Sequence, residues 1–240
     1  AGGWVSAGRE EDALDPGQYF LAAVAGENII VVRGNDGELR AFYNVCRHRG
    51  ATVVEEEAGR APRFQCPYHA WVYDLDGRLK QPRHTELLED FDPAEWGLVE
   101  ARCDTWQGIV YLDLSGNAPP LHEWLGDVVP QFARFDLGAL RRVRRIDYDV
   151  KANWKALIEN YEECYHCPGV HPQLNKITPY NMGAYLPWKG PFIGSFMDVL
   201  PEYETLSLTG ASAGRPAIPG MSAEDEHRVY YFAVWPNQLL

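Results

Sequence analysis

The sequence predicts an α+β chain in two parts, on three observations. Short β-prone runs broken by turn signals fill Tyr19 to Leu114. A composition shift follows at Ser115 to Pro120, and helical spacing then takes over with strand-like stretches around it.

Taken in order, Ile29 to Val32 and Leu39 to Tyr43 flank Gly34-Asn35-Asp36-Gly37, a hairpin turn signal. Trp71-Val72-Tyr73 and its partner flank Asp76-Gly77 in the same way, and Ile109 to Leu112 closes the series. Strands at this spacing predict a small antiparallel sandwich or barrel. Beyond the linker, Leu121 to Leu140 has helical spacing, with Trp124, Leu125, Val128, Val129 and Phe132 on one side. Arg144 to Val150 alternates as a strand. Asn153 to Tyr165 reads as a second helix with Trp154, Leu157, Ile158 and Tyr161 on its apolar face. Leu206 to Glu226 is rich in Gly, Ala, Ser and Pro and reads as a mobile loop, and Val229 to Trp235 as a final strand.

The net charge of -12 argues against nucleic-acid binding, which needs a basic face. The one basic run, Arg141, Arg142, Arg144 and Arg145, reads as a solvated strand edge; docking of an acidic electron donor is the lesser reading. No apolar stretch has the length of a membrane span and no signal peptide is visible. The chain opens without an initiator Met and stops within a strand-like stretch, so it reads as a fragment at both ends. Five cysteines, two of them beside histidines at metal-ligand spacing, suggest metal binding in a reducing, cytoplasmic compartment and no disulfide framework.

Cys46-Arg47-His48 and Cys66-Pro67-Tyr68-His69 form a C-x-H and C-x-x-H pair with 17 residues between them. Each half follows a β-prone run, so two loops at one end of a small sheet can converge. Two thiolates and two imidazoles can surround one zinc. They can equally divide across two irons, thiolates on one and histidines on the other. Spacing alone leaves both open. The flanks, Cys-x-His-Arg-Gly and Cys-Pro-Tyr-His-Ala-Trp, resemble the Rieske [2Fe-2S] motif. Respiratory Rieske proteins add a cysteine to each loop; the matching positions here are Ala51 and Tyr68, which points to the oxygenase or ferredoxin type.

Farther along, Glu163 and His166 lie three apart on the predicted helix and so share a face. Pro168-Gly169 is expected to break that helix and let His171 swing back toward His166. Two histidines and a carboxylate make the facial triad of non-haem iron oxygenases, with open positions for oxygen and substrate. Cys164 and Cys167 offer a rival C-x-x-C metal reading. The NWK…ENYEECYHC…HP run resembles the catalytic helix of Rieske non-haem iron oxygenase alpha subunits, the aromatic-ring-hydroxylating dioxygenase family, and follows the Rieske motif in the expected order.

The resemblance spans nearly the whole chain and implies a Rieske domain over 17–115 and a helix-grip catalytic domain over 116–240, a curved antiparallel sheet on a long helix. Residues 1–16 are then a segment packing on the catalytic domain. Cys46, His48, Cys66 and His69 become cluster ligands, and His166 and His171 ligands of a mononuclear Fe(II). Glu163 becomes the acid linking His166 to a cluster histidine, that of a neighbouring subunit; Asn160 lies near the iron. The family's third iron ligand, an Asp, falls beyond residue 240, with Asp198 and Glu202 poor substitutes. An NAD(P)H-dependent reductase or ferredoxin, O2, a small-molecule substrate and a homotrimer are implied. The alternative is a Rieske electron carrier with a non-catalytic binding module.

Glu where aromatic-ring dioxygenases commonly have Asp resembles the trimeric branch that oxidises quaternary ammonium compounds. Tyr161, Tyr180, Tyr185, Trp188, Phe192 and Phe196 could form a cation box there, or simply be core.

Overall fold

A computed structural model describes residues 2–85 and 87–240 and divides them into two compact units, up to Leu121 and from His122. The α+β class holds.

The first unit is β. Ten strands are β1 (Val5–Arg9), β2 (Gln18–Val24), β3 (Glu27–Arg33), β4 (Leu39–Tyr43), β5 (Ala58–Arg60), β6 (Phe64–Gln65), β7 (Val72–Tyr73), β8 (Leu79–Gln81), β9 (Glu100–Trp106) and β10 (Ile109–Asp113). Seven form one antiparallel sheet in the order β1-β10-β9-β4-β3-β2-β5, and β6-β7-β8 form a second. Ile29 to Val32 is a continuous apolar run with no exposed member, because each face of β3 meets its own core. Ile30 and Val32 pack toward Phe64, Trp71 and Tyr73, whereas Ile29 and Val31 pack toward Val110 and Leu112. The hairpin at Gly34 forms as expected, closed by Gly34 N–H to Glu38 O at 2.8 Å.

Both ends of this unit are tied into it. Residues 5–9 extend the first sheet as β1 beside β10. The linker belongs to this unit too. Buried Asp113 accepts from the Ser115 and Ala118 amides and pairs with Arg102 at 2.8 Å, so the division falls after Leu121 and not after Ser115.

The second unit contains α1 (Leu121–Leu125, at its boundary), α2 (Val128–Phe132), α3 (Trp154–Glu162), α4 (Cys167–Val170), α5 (Pro172–Ile177) and α6 (Ala223–Glu226), with strands β11 (Gly183–Tyr185), β12 (Phe192–Asp198), β13 (Arg228–Val234) and β14 (Gln238–Leu239). The strands form one antiparallel sheet in chain order, and α3 packs on β12 and β13. The single helix expected over 121–140 is broken into two short pieces and a 3-10 turn, with Gly126 at positive φ between α1 and α2. The strand expected over 144–150 does not form. Ile146, Tyr148 and Val150 do alternate, but all are exposed, and no strand among the described residues pairs with them. Alternation creates an apolar face, but only a neighbour turns it into a strand.

Helix α3 is shorter than the pattern suggested. Asn153 caps its start by accepting from the Lys155 amide at 3.0 Å. Ile158 and Glu162, four apart, form the buried face, while Trp154 and Leu157 remain exposed. The helix ends at Glu162, and Glu163 is already extended. No helix among the described residues is long and apolar enough to cross a membrane.

Candidate metal and substrate sites

The two loops of the first unit are built alike. Cys46 N–H donates to Ala51 O and Gly50 N–H returns to Cys46 O; Cys66 N–H donates to Trp71 O and Ala70 N–H returns to Cys66 O. All four bonds measure 2.8 to 3.0 Å. The fifth residue of each loop has positive φ, +74° at Gly50 and +56° at Ala70. Closure this tight needs the left-handed conformation, which glycine adopts freely and alanine at a cost of about 1–2 kcal/mol.

The loops bring all four predicted donors together. Cys46 and Cys66 are buried, and the ring centroids of His48 and His69 lie 4.7 Å apart. His48 stacks on Trp71 at 4.8 Å, and burial with His69 and Arg49 nearby pulls its pKa down, which favours a neutral imidazole ligand. The Nδ1 of His69 is buried with no hydrogen-bond partner, so it is a donor that a metal bond would satisfy. Two thiols beside two imidazoles suit an iron pair, thiolates on one iron and imidazoles on the other. The donor set therefore fits a [2Fe-2S] group.

Sequence reasoning missed Tyr73, which is fully buried on β7. Its hydroxyl accepts from the Arg47 amide at 3.0 Å and so turns its own hydrogen toward Cys46 Sγ, 3.3 Å away. Burial first, and the Cys46 thiol second, push its pKa far up, so it stays a donor. A hydrogen bond to sulfur stabilises the more negative, reduced state. Tyr73→Phe is therefore expected to lower the potential by about 40 mV, the equivalent of about 1 kcal/mol in a one-electron couple. Protein-film voltammetry measures it. Asn44, also missed, fixes the segment after the first loop by accepting from the Val53 and Val54 amides and donating to Val54 O.

In the second unit Glu163 and His166 meet, but not on a shared helix. The chain leaves α3 at Glu163 and re-enters helical conformation at His166; Pro168-Gly169, expected to break the helix, lies inside α4. His166 Nδ1 is 2.6 Å from Glu163 Oε1, and Glu163 Oε2 accepts from the Tyr165 amide at 2.5 Å. These bonds, the His166 one foremost, hold the Glu163 carboxyl below its usual range. An ionised carboxylate can only accept, so Nδ1 carries the proton and Nε2 is left for a metal. The His171 ring centroid lies 5.2 Å from that of His166, near-perpendicular to it. The two donors suit part of a mononuclear iron site.

Cys164 and Cys167 form a disulfide across this turn, where none was expected, which sets aside the C-x-x-C metal reading; Cys46, Cys66 and Cys103 are free. Cα atoms 5.0 Å apart are within disulfide reach.

Both histidines line a cavity of about 300 Å³ with Asn160, Glu163, Tyr161, Tyr180, Tyr185 and Phe196. The proposed aromatic box is thus only partly assembled. Trp188 lines an adjoining hollow, and Phe192 is buried in the core against Phe232. Asp198 pairs with Arg228 at 2.8 Å, and neither it nor Glu202 lines the cavity.

The cavity also contains Glu162, Ser195 and Tyr231, which the sequence reading left out. Glu162 is 8% exposed; Ser195 Oγ donates to its Oε2 at 3.1 Å, and Oε1 has no hydrogen-bond partner. Burial dominates and pushes its pKa up to about 7, against smaller easing by Ser195 and the Ala233 amide. With the folded pKa above the unfolded one, the stabilising contribution is full below the ordinary carboxyl range and is lost as pH rises through about 7. Relative to wild type, Glu162→Gln should therefore gain about 2 kcal/mol between pH 5 and pH 8, less than the whole shift implies because water reaches part of the cavity. Urea unfolding at both pH values checks it.

Two known families match the chain, one after the other. The family described as "Rieske [2Fe-2S] domain" matches residues 3–92, and "Ring hydroxylating alpha subunit (catalytic domain)" matches 137–240. The glycine betaine monooxygenase oxygenase subunit of Pseudomonas aeruginosa is 36% identical over 173 residues, 72% of this chain and 40% of that protein. The carnitine monooxygenase oxygenase subunit of Acinetobacter pittii is 35% identical over 175 residues, 70% of this chain and 46% of its own length. The chain thus spans less than half the length of these relatives. Among solved structures, the quaternary ammonium Rieske monooxygenase CntA superposes with a TM-score of 0.80 at 27% identity, covering 98% of this chain and 60% of that one. Naphthalene 1,2-dioxygenase superposes at 0.78 and 27%, covering 99% and 60%. With a Rieske-type pair of loops in one unit and a matching catalytic segment in the other, this chain belongs to the Rieske oxygenase alpha-subunit family.

Proposed function

We propose that this chain carries the cluster and part of the iron site of a terminal oxygenase that hydroxylates or demethylates a small quaternary ammonium substrate. The observation that carries the reading is the Glu163–His166 bond at 2.6 Å beside His171, in a chain that also carries the two cluster loops. An electron carrier has no use for that pair. The relatives named as glycine betaine and carnitine monooxygenases support the substrate class.

When bound, the [2Fe-2S] group stores single electrons and the Fe(II) activates O2. Cys46 and Cys66 would hold one iron of the pair and His48 and His69 the other; His166 and His171 would hold the mononuclear iron. Glu163 fixes the His166 ring and tautomer, and its carboxylate is half exposed, open to a second imidazole. We infer that this second imidazole belongs to a cluster histidine of a neighbouring subunit, in a homotrimer. Asn160 lines the cavity beside these groups and would position substrate. The electron source is an NAD(P)H-dependent reductase or ferredoxin, and the compartment cytoplasmic.

The test, made on the full-length polypeptide, is an oxygen-uptake assay with reductase and NADH across betaines, carnitine and aromatic acids, paired with iron analysis. Uptake dependent on a quaternary ammonium compound, with about three irons per chain, is the expected result. About two irons and no uptake would leave only an electron carrier.

A further inference from the structure

Glu162 is unusual among the groups around the cavity. It is more than nine-tenths buried, its Oε1 is unbonded, and the groups it accepts from, Ser195 Oγ and the Ala233 amide, are both neutral. No Lys or Arg is among the described residues lining the cavity, yet two carboxylates are. Glu163 is already committed to His166 and the Tyr165 amide. A buried carboxyl with no cation nearby is costly unless something brings the charge to it.

The surrounding surface narrows what that something is. Tyr161 and Tyr231 meet edge to face with centroids 5.7 Å apart, and both line the cavity. Tyr185 lines it too, tied to Glu162 by a 3.2 Å bond from its hydroxyl to the Glu162 carbonyl. Phe196 is already spoken for, since Arg228 sits 3.8 Å over its ring. Electron-rich tyrosine rings beside an unpaired carboxyl attract a cation, and aromatic walls favour one whose charge is sheathed in methyl groups over a small hydrated ion. The pocket is not built for an anion.

We propose that Glu162 is a specificity-determining residue: its buried carboxylate is the counter-ion for the trimethylammonium group of the substrate, with Tyr161, Tyr185 and Tyr231 as the wall. This rests on the quaternary ammonium reading above and assigns it to one residue. Its displacement along the chain from Glu163 by a single position separates two jobs. Glu163 orients a histidine, and Glu162, on the buried face of α3, meets the substrate.

The test compares choline with its uncharged isostere, 3,3-dimethylbutan-1-ol, by intrinsic-fluorescence titration of the full chain without oxygen or reductant. Wild type should bind choline about tenfold more tightly or better, and Glu162→Gln should reduce that preference to within about twofold while the isostere's affinity is unchanged. Glu162→Asp, which keeps the charge, should retain most of the preference and stands in if Glu162→Gln does not fold. Preference surviving in Glu162→Gln, or both ligands weakening together as a structural role would give, overturns the proposal. Failure of the oxygenase reading would appear in oxygen uptake and leave this binding ratio intact.

Discussion

Glu163→Ala is expected to reduce product formation by about 100-fold or more while leaving the visible spectrum of the cluster intact. The carboxylate accepts two bonds in the structure, from His166 Nδ1 at 2.6 Å and from the Tyr165 amide at 2.5 Å, and both are lost together. Without them the His166 ring is free to rotate and to exchange tautomers, so Nε2 is no longer held for iron. The cluster donors lie in the other unit, so the visible absorbance should persist. Glu163→Gln separates two contributions. The amide still accepts from Nδ1–H but carries no charge, and should recover part of the iron affinity without full turnover. Single-turnover product yield, iron content and cluster absorbance measured on the same samples distinguish these outcomes. Normal turnover in Glu163→Ala would remove the residue from the mechanism.

The second large effect is expected at His69. His69→Ala should bleach the Rieske absorption, abolish reductase-dependent turnover and lower the iron content from about three per chain to about one. The two loops are held closed by the Cys46–Ala51 and Cys66–Trp71 backbone bonds, and without a metal the buried sulfurs keep the Tyr73 hydroxyl and the Tyr68 and His69 amides as partners. Cys66 shows the strain: burial pushes its thiol pKa up, and the amides of Tyr68 and His69 only partly offset that. Losing the cluster leaves such groups buried and unsatisfied at about 1–3 kcal/mol each. Amide exchange should therefore rise first in residues 46–51 and 66–71, while β3, apolar on both faces, stays protected. Uniform loss of protection across the unit would show that the cluster supports the whole sheet and not its two loops.

The division between what was legible and what was not follows the range of the interactions. Both cluster loops, the hairpin at Gly34 and the α3 start at Asn153 were readable because turn chemistry, caps and ligand spacing act within a few residues. The same holds for the His166–His171 pair and for the partnership of Glu163 with His166. That partnership survived an error about the backbone, since a carboxylate three residues before a histidine can reach it through an extended bend as well as along a helix. Glu162 had a local signal that went unread: it lies four residues after Ile158, on the buried face of α3.

The sequence by itself determined the chemistry, namely which thiols, imidazoles and carboxylates are available and which of them are near neighbours along the chain. Only the tertiary structure decided who meets whom at long range. It placed Tyr73 against the Cys46 sulfur 27 residues away, put Ser195 on Glu162 33 residues away, and drew β1 to β10. Among the described residues it also left Ile146, Tyr148 and Val150 without a partner strand. The reason is physical: a side-chain pattern states what a segment would bury, but burial needs a second surface, and the position of that surface is set by the packing of the whole chain.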